Sequence, residues 1–231
     1  LQLGKEKIQK KTKNGCKYIA YFQAFTNTYA PIDTLRTLYM QALQDEEVAA
    51  LSVATRPDCL GEDVLQLLAE INEIKPVFVE LGLQTIHEKT AQYIRRGYPL
   101  SVYDDAMERL RQIGVNKVVH VILGLPGESK DDMLKTVNHV VNSGADGIKL
   151  QLLYVLKGTD LAADYQNGKF DVLSLEEYLD ILEACVAVIP NNVVIHRLTG
   201  DGAKKDLIAP LWSADKKAVI NAIHQRLNHN I

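Results

Sequence analysis

The sequence predicts an α/β protein whose parallel strands form a wide or incomplete barrel. Six strand-like runs alternate with helical runs along the chain, which is typical of a parallel sheet with helical crossovers. Polar residues recur at every second position of several strands, whereas a parallel strand covered on both faces is almost continuously apolar. A closed eight-stranded barrel is filled by branched apolar side chains, so a polar lining indicates an open or wider barrel that encloses a ligand cavity.

The strands are predicted from short apolar, aromatic or β-branched runs that end in turn residues. We expect them at residues 18–25, 51–57, 77–85, 118–126, 147–159 and 193–198. On the third, fourth and fifth of these, the polar positions alternate with apolar ones. The polar positions are Glu80 and Gln84, His120, and Lys149 and Gln151. The first and second strands add Gln23, Ser52 and Arg56 at the same kind of position.

The helices are predicted from apolar residues at helical spacing and from capping residues at their ends. One helix is expected to end at Gly15, one to be capped by Thr85 and Glu88 and to end at Gly97, and one to start at Ser101 and end at Gly114. The others are expected at residues 31–43, 63–74, 131–142, 175–188 and 216–227. The last is amphipathic and is predicted to dock on an apolar face.

The stretch HVILGLPGES, residues 120–129, joins the fourth strand to the helix that follows it. Gly124, Pro126 and Gly127 stop the strand, and Ser129 with Asp132 forms a capping box that starts the helix. A strand-to-helix turn of this kind directs backbone N–H groups and the positive end of a helix dipole toward a ligand.

Composition excludes several classes of protein. A chain of 231 residues, 47% hydrophobic and 24% charged, is an ordinary globular chain for which one domain, residues 1–231, is the default. Its net charge of −3 argues against a dominant nucleic-acid surface. We find no apolar run of the ~18 residues that a membrane span needs and no signal-peptide core, and we expect a cytoplasmic protein with no membrane partner. Cys16, Cys59 and Cys185 are far apart, so buried free thiols are the preferred interpretation.

Several segments carry a resemblance to a known family. VELGLQT (79–85), YIRRGY (93–98), HVILGLPGES (120–129) and YVLKGT (154–159) resemble the second half of a radical S-adenosylmethionine (SAM) enzyme core. The branch is that of the elongator catalytic subunit and oxygen-independent coproporphyrinogen oxidase. FQAFTNTYAP (22–31), TRPDCL (55–60) and HRLTGDG (196–202) are similar to the YhcC-like radical SAM proteins. The resemblance covers nearly the whole chain.

The resemblance implies a partial, open TIM-like (β/α)6 barrel of the radical SAM type with a C-terminal helical segment. Residues 1–200 would form the barrel without its first strand, and residues 201–231 the docking helix. The implied chemistry is reductive cleavage of SAM by a 4Fe-4S cluster, giving a 5'-deoxyadenosyl radical that takes a hydrogen atom from the substrate. An electron donor such as flavodoxin or ferredoxin is implied as a partner.

The cluster is where the sequence departs from the family. A 4Fe-4S cluster needs clustered cysteine thiolates, and the family carries three of them on a loop upstream of the helix with which this chain begins. None of Cys16, Cys59 and Cys185 fits that role. Either an N-terminal segment is missing or the protein is a cluster-free homologue. We expect the first, because the first helix starts midway and the six strands correspond to the family's second strand onward.

The resemblance also implies SAM contacts, residue by residue. Gln84 matches the glutamine of LGLQ, and Arg96 an arginine whose fork would pair with the SAM carboxylate. His120 stands at the ribose position and Ile122 at the adenine position. Gln23 and Thr26 bound the segment that receives the SAM amino group, where the family's carboxylate is absent. Ala54 replaces a second carboxylate, for which Arg56 would compensate. For each contact the alternative is a structural hydrogen bond within the barrel.

Substrate contacts are expected at the ends of later strands, where active-site loops gather in barrels. The candidates are Lys149, Gln151, Lys157, His196 and Arg197. Such a cationic group suits a phosphate, a carboxylate or an RNA, although Lys157 and Arg197 could equally form surface ion pairs. The substrate is therefore expected to be an unknown small molecule or an RNA.

Three functional hypotheses follow. The first is a radical SAM enzyme core, an oxidoreductase or transferase as the full-length protein. The second is a SAM- or nucleotide-binding scaffold that has lost its cluster and its catalysis. The third is a barrel lyase that uses Lys149 as a Schiff-base nucleophile, and borohydride trapping with carbonyl substrates would leave Lys149 modified in that case only.

Overall fold

The computed structural model describes residues 5, 15–23, 25–200, 202 and 204–228. Most of the predicted N-terminal helix, and Ala24 of the predicted first strand, lie outside the described residues. The strands are β1 Tyr18–Phe22, β2 Val48–Thr55, β3 Val77–Gln84, β4 Asn116–Leu123, β5 Gly147–Leu152, β6 Val155–Leu156, β7 Val194–Arg197 and β8 Leu207–Ala209. The helices are α1 Ile32–Leu43, α2 Glu62–Asn72, α3 Glu88–Tyr93, α4 Leu100–Gln112, α5 Lys130–Asn142, α6 Asp160–Gln166, α7 Leu175–Val188 and α8 Lys216–Asn228.

One sheet carries all six predicted strands, in the order β1-β2-β3-β4-β5-β7. The strands are parallel, and β1 and β7 stand at the two ends of the order, so the sheet is open. The predicted alternation is confirmed on β3 and β4. Val79, Leu81 and Leu83 are fully buried, whereas His120 and Ile122 retain partial exposure. One face of these strands packs under helices and the other keeps access to water.

The chain divides into two compact units. Unit 1 comprises residues 1–82 and 101–118, and unit 2 comprises residues 83–100 and 119–231. In unit 1, β1 pairs with β2 and β2 with β3, with Leu51 and Val53 of β2 completely buried. In unit 2, β5 pairs with β7, and a small antiparallel sheet forms from β6 and β8.

Most predicted helix boundaries agree with the structure. The capping boxes at Ser129–Asp132 and Ser174–Glu177 are both present. The predicted cap at Thr85 is wrong, because α3 begins at Glu88 after His87 and the Thr85 hydroxyl instead accepts the His87 N–H at 3.0 Å. Helix α4 begins at Leu100, one residue before the predicted start.

The C-terminal helix was predicted at its observed place and packs within unit 2. Val219 and Ile223 of α8 are buried. Arg226 of α8 pairs with Glu176, Asp180 and Glu183 of α7. Helix α6 and strand β8 were not predicted. The predicted strand at 147–159 is divided into β5 and β6, and β6 pairs with β8 in a separate sheet. In the part of the chain that the structure describes, no helix is both long and apolar enough to cross a membrane.

Candidate functional site

A strained turn ends strand β3 in unit 2. The N–H of Thr85 donates to the carbonyl of Leu83 at 2.9 Å, and Gln84 between them has φ of +70°. A three-residue turn with positive φ at its centre is rare and costly for any residue other than glycine. The cost of such a conformation is of order 1–3 kcal/mol. Strain that a fold maintains at one polar residue marks Gln84 as a candidate functional residue.

Arg96 holds this turn in place. Its side chain is only 2% exposed. It donates from Nη1 to the Thr85 carbonyl at 2.5 Å, from Nε to the Tyr98 carbonyl at 3.0 Å and from Nη2 to the Glu88 carboxylate at 3.1 Å. Its guanidinium also lies 4.7 Å from the centre of the Tyr98 ring. These contacts support the structural alternative for Arg96, and its pairing with SAM stays a prediction.

Glu128, in the loop before α5, fixes the same turn from a second side. Its carboxylate accepts the hydroxyl of Thr85 at 2.5 Å. Burial raises the pKa of the Glu128 carboxyl above its ordinary value, although the hydrogen bonds from Thr85 and Thr90 act in the opposite direction. The carbonyl and the hydroxyl of Thr85 are therefore both held, so Gln84 is fixed by elements from two parts of the chain.

Replacing Glu128 with glutamine is expected to flatten the pH dependence of stability. A carboxyl whose pKa is raised on folding favours the folded state at low pH, and this contribution is lost as pH rises from the unfolded value of about 4.5 through the folded value. The glutamine oxygen still accepts the Thr85 hydroxyl, so the variant loses only the titration. Urea unfolding between pH 4 and pH 8 measures the difference.

Glu108→Gln provides the control for this prediction. Glu108 is an exposed carboxyl on α4, and hydrogen bonds from Arg111 and Gln112 lower its pKa to about 2. Its contribution is present above the unfolded pKa and is lost as pH falls, so the control changes the slope in the opposite direction. Equal slopes for wild type and Glu128→Gln would contradict the assignment.

The GLPG loop closes the carboxyl end of β4. A Cβ at Gly124, which has φ of +87°, would lie 2.9 Å from Cδ1 of Leu173, so only glycine fits there. We expected the backbone N–H groups of this turn to be directed toward a ligand, and this expectation is wrong for three residues. The N–H of Gly124 donates to the Met133 sulfur, that of Glu128 to the Leu125 carbonyl and that of Ser129 to Asp132.

Polar residues of β4 and β5 meet on one face in unit 2. The Nε2 of Gln151 lies 3.2 Å from Nδ1 of His120, which links the two strands side chain to side chain. Ile122 shares the face with His120, and Lys149 shares it with Gln151, because side chains alternate along a strand. We call these four residues the unit-2 polar face. Amide and imidazole groups can bind hydroxyls here, and Ile122 offers an apolar surface to a flat ring.

Unit 1 has polar residues that the sequence interpretation left out of the site. The Glu80 carboxylate is 5% exposed and accepts the Tyr21 hydroxyl at 2.7 Å and the Ser52 hydroxyl at 2.9 Å. The alternation along β3 indicated that Glu80 belongs to the polar face. The hydrogen bond between Glu80 and Tyr21 could not be predicted, because β2 lies between the two strands that carry these residues.

The remaining predicted SAM contacts lie in unit 1 near strand ends. Gln23 follows β1 and is exposed, and Thr26 is half-buried. Arg56 follows β2 and places Nε and Nη2 on the two oxygens of Asp58, at 2.9 and 2.6 Å. This pairing lowers the pKa of the Asp58 carboxyl. The fork of Arg56 is thus engaged within the protein, while its contact with SAM stays a prediction.

The predicted substrate residues separate into two places in unit 2. Lys149, Gln151, His196 and Arg197 lie together on β5 and β7. Lys157 lies elsewhere, because its ammonium donates to the carbonyl of Lys205 at 3.2 Å beside the β6–β8 sheet. The structure therefore keeps four of these residues as one group.

The cysteines do not fit an iron–sulfur cluster. Cys185 is completely buried on α7, and Cys16 and Cys59 are half-buried elsewhere. Burial raises the pKa of the Cys185 thiol to about 12, which disfavours the thiolate that a metal needs. Among the residues that the structure describes, no group of three His, Cys, Asp or Glu side chains could hold a metal ion. The unit-2 polar face, by contrast, combines hydrogen-bonding side chains with the apolar Ile122, which is the kind of surface that a ribose and a flat base require.

Fold and site together define a class: an α/β protein with an open parallel sheet that has a polar face. Family models make this specific. The model of the Radical SAM superfamily matches residues 3–140, and that of the Radical_SAM C-terminal domain matches residues 145–229. The chain belongs to the radical SAM superfamily, whose members typically use SAM and a 4Fe-4S cluster.

Similar proteins extend this result. The chain is 43% identical to the uncharacterized protein YtqA of Bacillus subtilis (strain 168), over 97% of the chain and 70% of that protein. It is 37% identical to protein YhcC of Escherichia coli (strain K12), over 93% of the chain and 70% of that protein. The resemblance to YhcC-like proteins is confirmed.

Two more distant matches are a protein named as an enzyme and a solved structure. The chain is 26% identical to a tRNA uridine(34) acetyltransferase of Methanocaldococcus jannaschii, over 68% of the chain and 29% of that protein. The solved structure of Methanocaldococcus infernus Elp3 with an N-terminus deletion superposes with a TM-score of 0.78 at 18% identity, over 92% of the chain and 57% of that structure. The partial, open TIM-like (β/α)6 barrel of the radical SAM type is thereby confirmed.

Proposed function

We propose that the unit-2 polar face binds the adenosyl group of SAM and that the full-length protein is a radical SAM enzyme, an oxidoreductase or a transferase. The contact between His120 and Gln151 carries this proposal, because it places two hydrogen-bonding side chains beside Ile122. An imidazole and an amide can bind the two ribose hydroxyls, and Ile122 packs on adenine. Gln84, fixed in its strained turn, supplies a further amide to the methionine end of SAM.

A 4Fe-4S cluster, when bound, would supply the electron for SAM cleavage, with flavodoxin or ferredoxin as its donor, and Cys16, Cys59 and Cys185 would not be its ligands. Within the chain, the residues of unit 2 bind and orient. The strained turn at Gln84 and the GLPG loop are held in place by hydrogen bonds within the protein itself. Preorganisation of this kind lowers the entropic cost of binding.

Replacing His120 with leucine tests the proposal. The variant is expected to fold, since His120 is half-buried, and to bind SAM at least about tenfold more weakly, a loss of about 1.4 kcal/mol. Calorimetric titration of SAM into the cluster-loaded full-length protein measures this, and 5'-deoxyadenosine serves as a probe that needs no cluster. His224→Leu on the exposed side of α8 is the matched control.

Two outcomes contradict the assignment of His120. Unchanged affinity in the folded variant would remove it from the binding face. Wholesale unfolding of the variant would show that the histidine is a structural hydrogen-bonding group. The same titration with Gln84→Ala tests the second binding residue.

The alternative function is a SAM- or nucleotide-binding scaffold without catalysis, and the scattered cysteines favour it. The two proposals share the binding face and differ in the product: only the enzyme forms 5'-deoxyadenosine from SAM under reducing conditions. Sequencing upstream of Leu1 in the gene also separates them, because the enzyme requires a three-cysteine loop there.

The substrate is proposed to be a small molecule or an RNA. Similarity to a protein named for tRNA uridine acetylation supports the RNA, while the net charge of −3 gives no general affinity for nucleic acid. Filter binding of bulk tRNA to the full-length protein, compared at 50 and 200 mM salt, distinguishes the two. A small-molecule enzyme retains no tRNA at either salt concentration.

A further inference from the structure

The pairing of strands β5 and β7 in unit 2 contains a bulge. Gly147 pairs with Val194, Ile148 with Ile195, and Lys149 with Arg197. One residue of β7, His196, is therefore extra. In a bulge, two residues of one strand stand opposite a single residue of its partner. The bulged strand bends there, and its side chains change direction. His196 and Arg197 can then both project on the side of β5 that carries Lys149.

Gly147 shows where the His196 ring lies. A Cβ built on Gly147 would be 2.6 Å from both Cδ2 and Nε2 of His196. The imidazole thus covers the position where any other side chain at residue 147 would stand. Residues 147, 149 and 151 share one side of β5 because side chains alternate. The ring of His196 is consequently on the unit-2 polar face, next to Lys149.

Arg197, the residue after His196 on β7, carries a positive charge that is partly withdrawn from water. It is half-buried and, among the residues that the structure describes, its guanidinium makes neither a hydrogen bond nor an ion pair. Lys149, its partner across the ladder, is 7% exposed. Strands β5 and β7, with sequences GIKLQL and VIHR, contain no carboxylate, and Asp146, which directly precedes β5, takes part in a contact of its own. A guanidinium partly withdrawn from water gains most from an anion that it can hydrogen-bond.

We infer that Arg197, His196 and Lys149 form a binding site for an oxyanion, a carboxylate or a phosphate group, carried by the substrate. This inference deepens the proposed function and rests on it for the identity of the ligand as substrate. The guanidinium fork takes two oxygens of the anion, as arginine does with carboxylates and phosphates. His196 donates a further hydrogen bond, and Lys149 adds a positive charge from β5. Lys157, bound to Lys205, has no part in the site.

The test uses inorganic phosphate and acetate as separate probes at constant ionic strength. The full-length protein carries 13C-labelled histidine, and His196→Gln assigns the His196 signal. We expect a saturable shift of that signal with one or both probes. Arg197→Gln should raise the dissociation constant at least about tenfold, and Arg197→Lys should restore part of the affinity. Phosphate binding without acetate binding identifies a phosphate site, and the reverse a carboxylate site.

Arg111→Gln is the matched control, since Arg111 is an exposed arginine paired with Glu108 on α4 in unit 1. A second variant, Gly147→Ala, should move the His196 signal without any probe and weaken probe binding, because the methyl group displaces the ring. The inference is overturned if the wild-type signal does not saturate with either probe, or if Arg197→Gln binds as tightly as wild type.

Failure of this inference can be told apart from failure of the proposed function. Probe binding requires neither SAM nor a cluster. If only the anion site is wrong, the reconstituted protein forms 5'-deoxyadenosine but the His196 signal stays fixed. If only the radical SAM activity is wrong, the signal shifts and no 5'-deoxyadenosine forms.

Discussion

Replacing Arg96 with methionine is expected to lower the free energy of unfolding by about 2–6 kcal/mol, because two buried carbonyls lose their donor and each unsatisfied buried polar group costs about 1–3 kcal/mol. The variant leaves the carbonyls of Thr85 and Tyr98 without their donor and releases the turn at Gln84. Methionine retains most of the volume, so the loss comes from hydrogen bonds rather than from a cavity. Equilibrium urea unfolding of both proteins gives the value.

Arg111→Met is the comparison for this loss. Arg111 makes a two-point contact with Glu108, but the contact is on the surface, where water screens an ion pair and its loss changes stability little. If Arg96→Met unfolds with the same midpoint as wild type and loses SAM affinity, the structural assignment is wrong and Arg96 is the ligand to the SAM carboxylate that the family resemblance implied.

Replacing Gln84 with glycine is expected to stabilise the protein by about 1 kcal/mol while it weakens SAM binding about tenfold or more. Glycine adopts the positive φ of this turn without steric cost, so the strain is relieved, and the amide that binds the ligand is gone. Stability and affinity therefore move in opposite directions. Thermal unfolding and calorimetric titration of SAM measure the two quantities.

Gln84→Ala separates strain from the side chain. Alanine removes the amide but keeps the cost of a positive φ, so we expect weaker SAM binding with no gain in stability. If the glycine variant is less stable than wild type, the backbone at Gln84 is not strained. If both variants bind SAM as wild type does, Gln84 has no role in binding.

Much of the fold could be predicted because its signals are local. Apolar runs placed the six parallel strands, and serine with an acidic residue three positions later placed the starts of α5 and α7. Strand parity indicated the polar face before any coordinates, and the contact between His120 and Gln151 agrees with it. Where the prediction failed, as for the start of α3, the cap residue Thr85 was used for a tertiary contact with Glu128 instead.

The site was less predictable because its decisive features are not local. The positive φ of Gln84 cannot be read from a residue type that normally avoids it. Arg96 looked like a ligand-binding arginine, yet its donors satisfy backbone carbonyls that only the folded chain brings near. The bulge at His196 depends on the pairing of β7 with β5. Gly147 indicates the position of the His196 ring only when that pairing is known. A lone glycine in a strand is a weak signal for a close approach.

We propose above all that this chain is the SAM-binding part of a radical SAM enzyme. Anaerobic iron–sulfur reconstitution of the full-length protein, followed by reduction with SAM present and an assay for 5'-deoxyadenosine, tests it most directly. We predict 5'-deoxyadenosine in the wild-type reaction and a strong reduction with His120→Leu at subsaturating SAM. A reconstituted, reduced protein that binds SAM but releases no 5'-deoxyadenosine would contradict the claim and leave the non-catalytic scaffold.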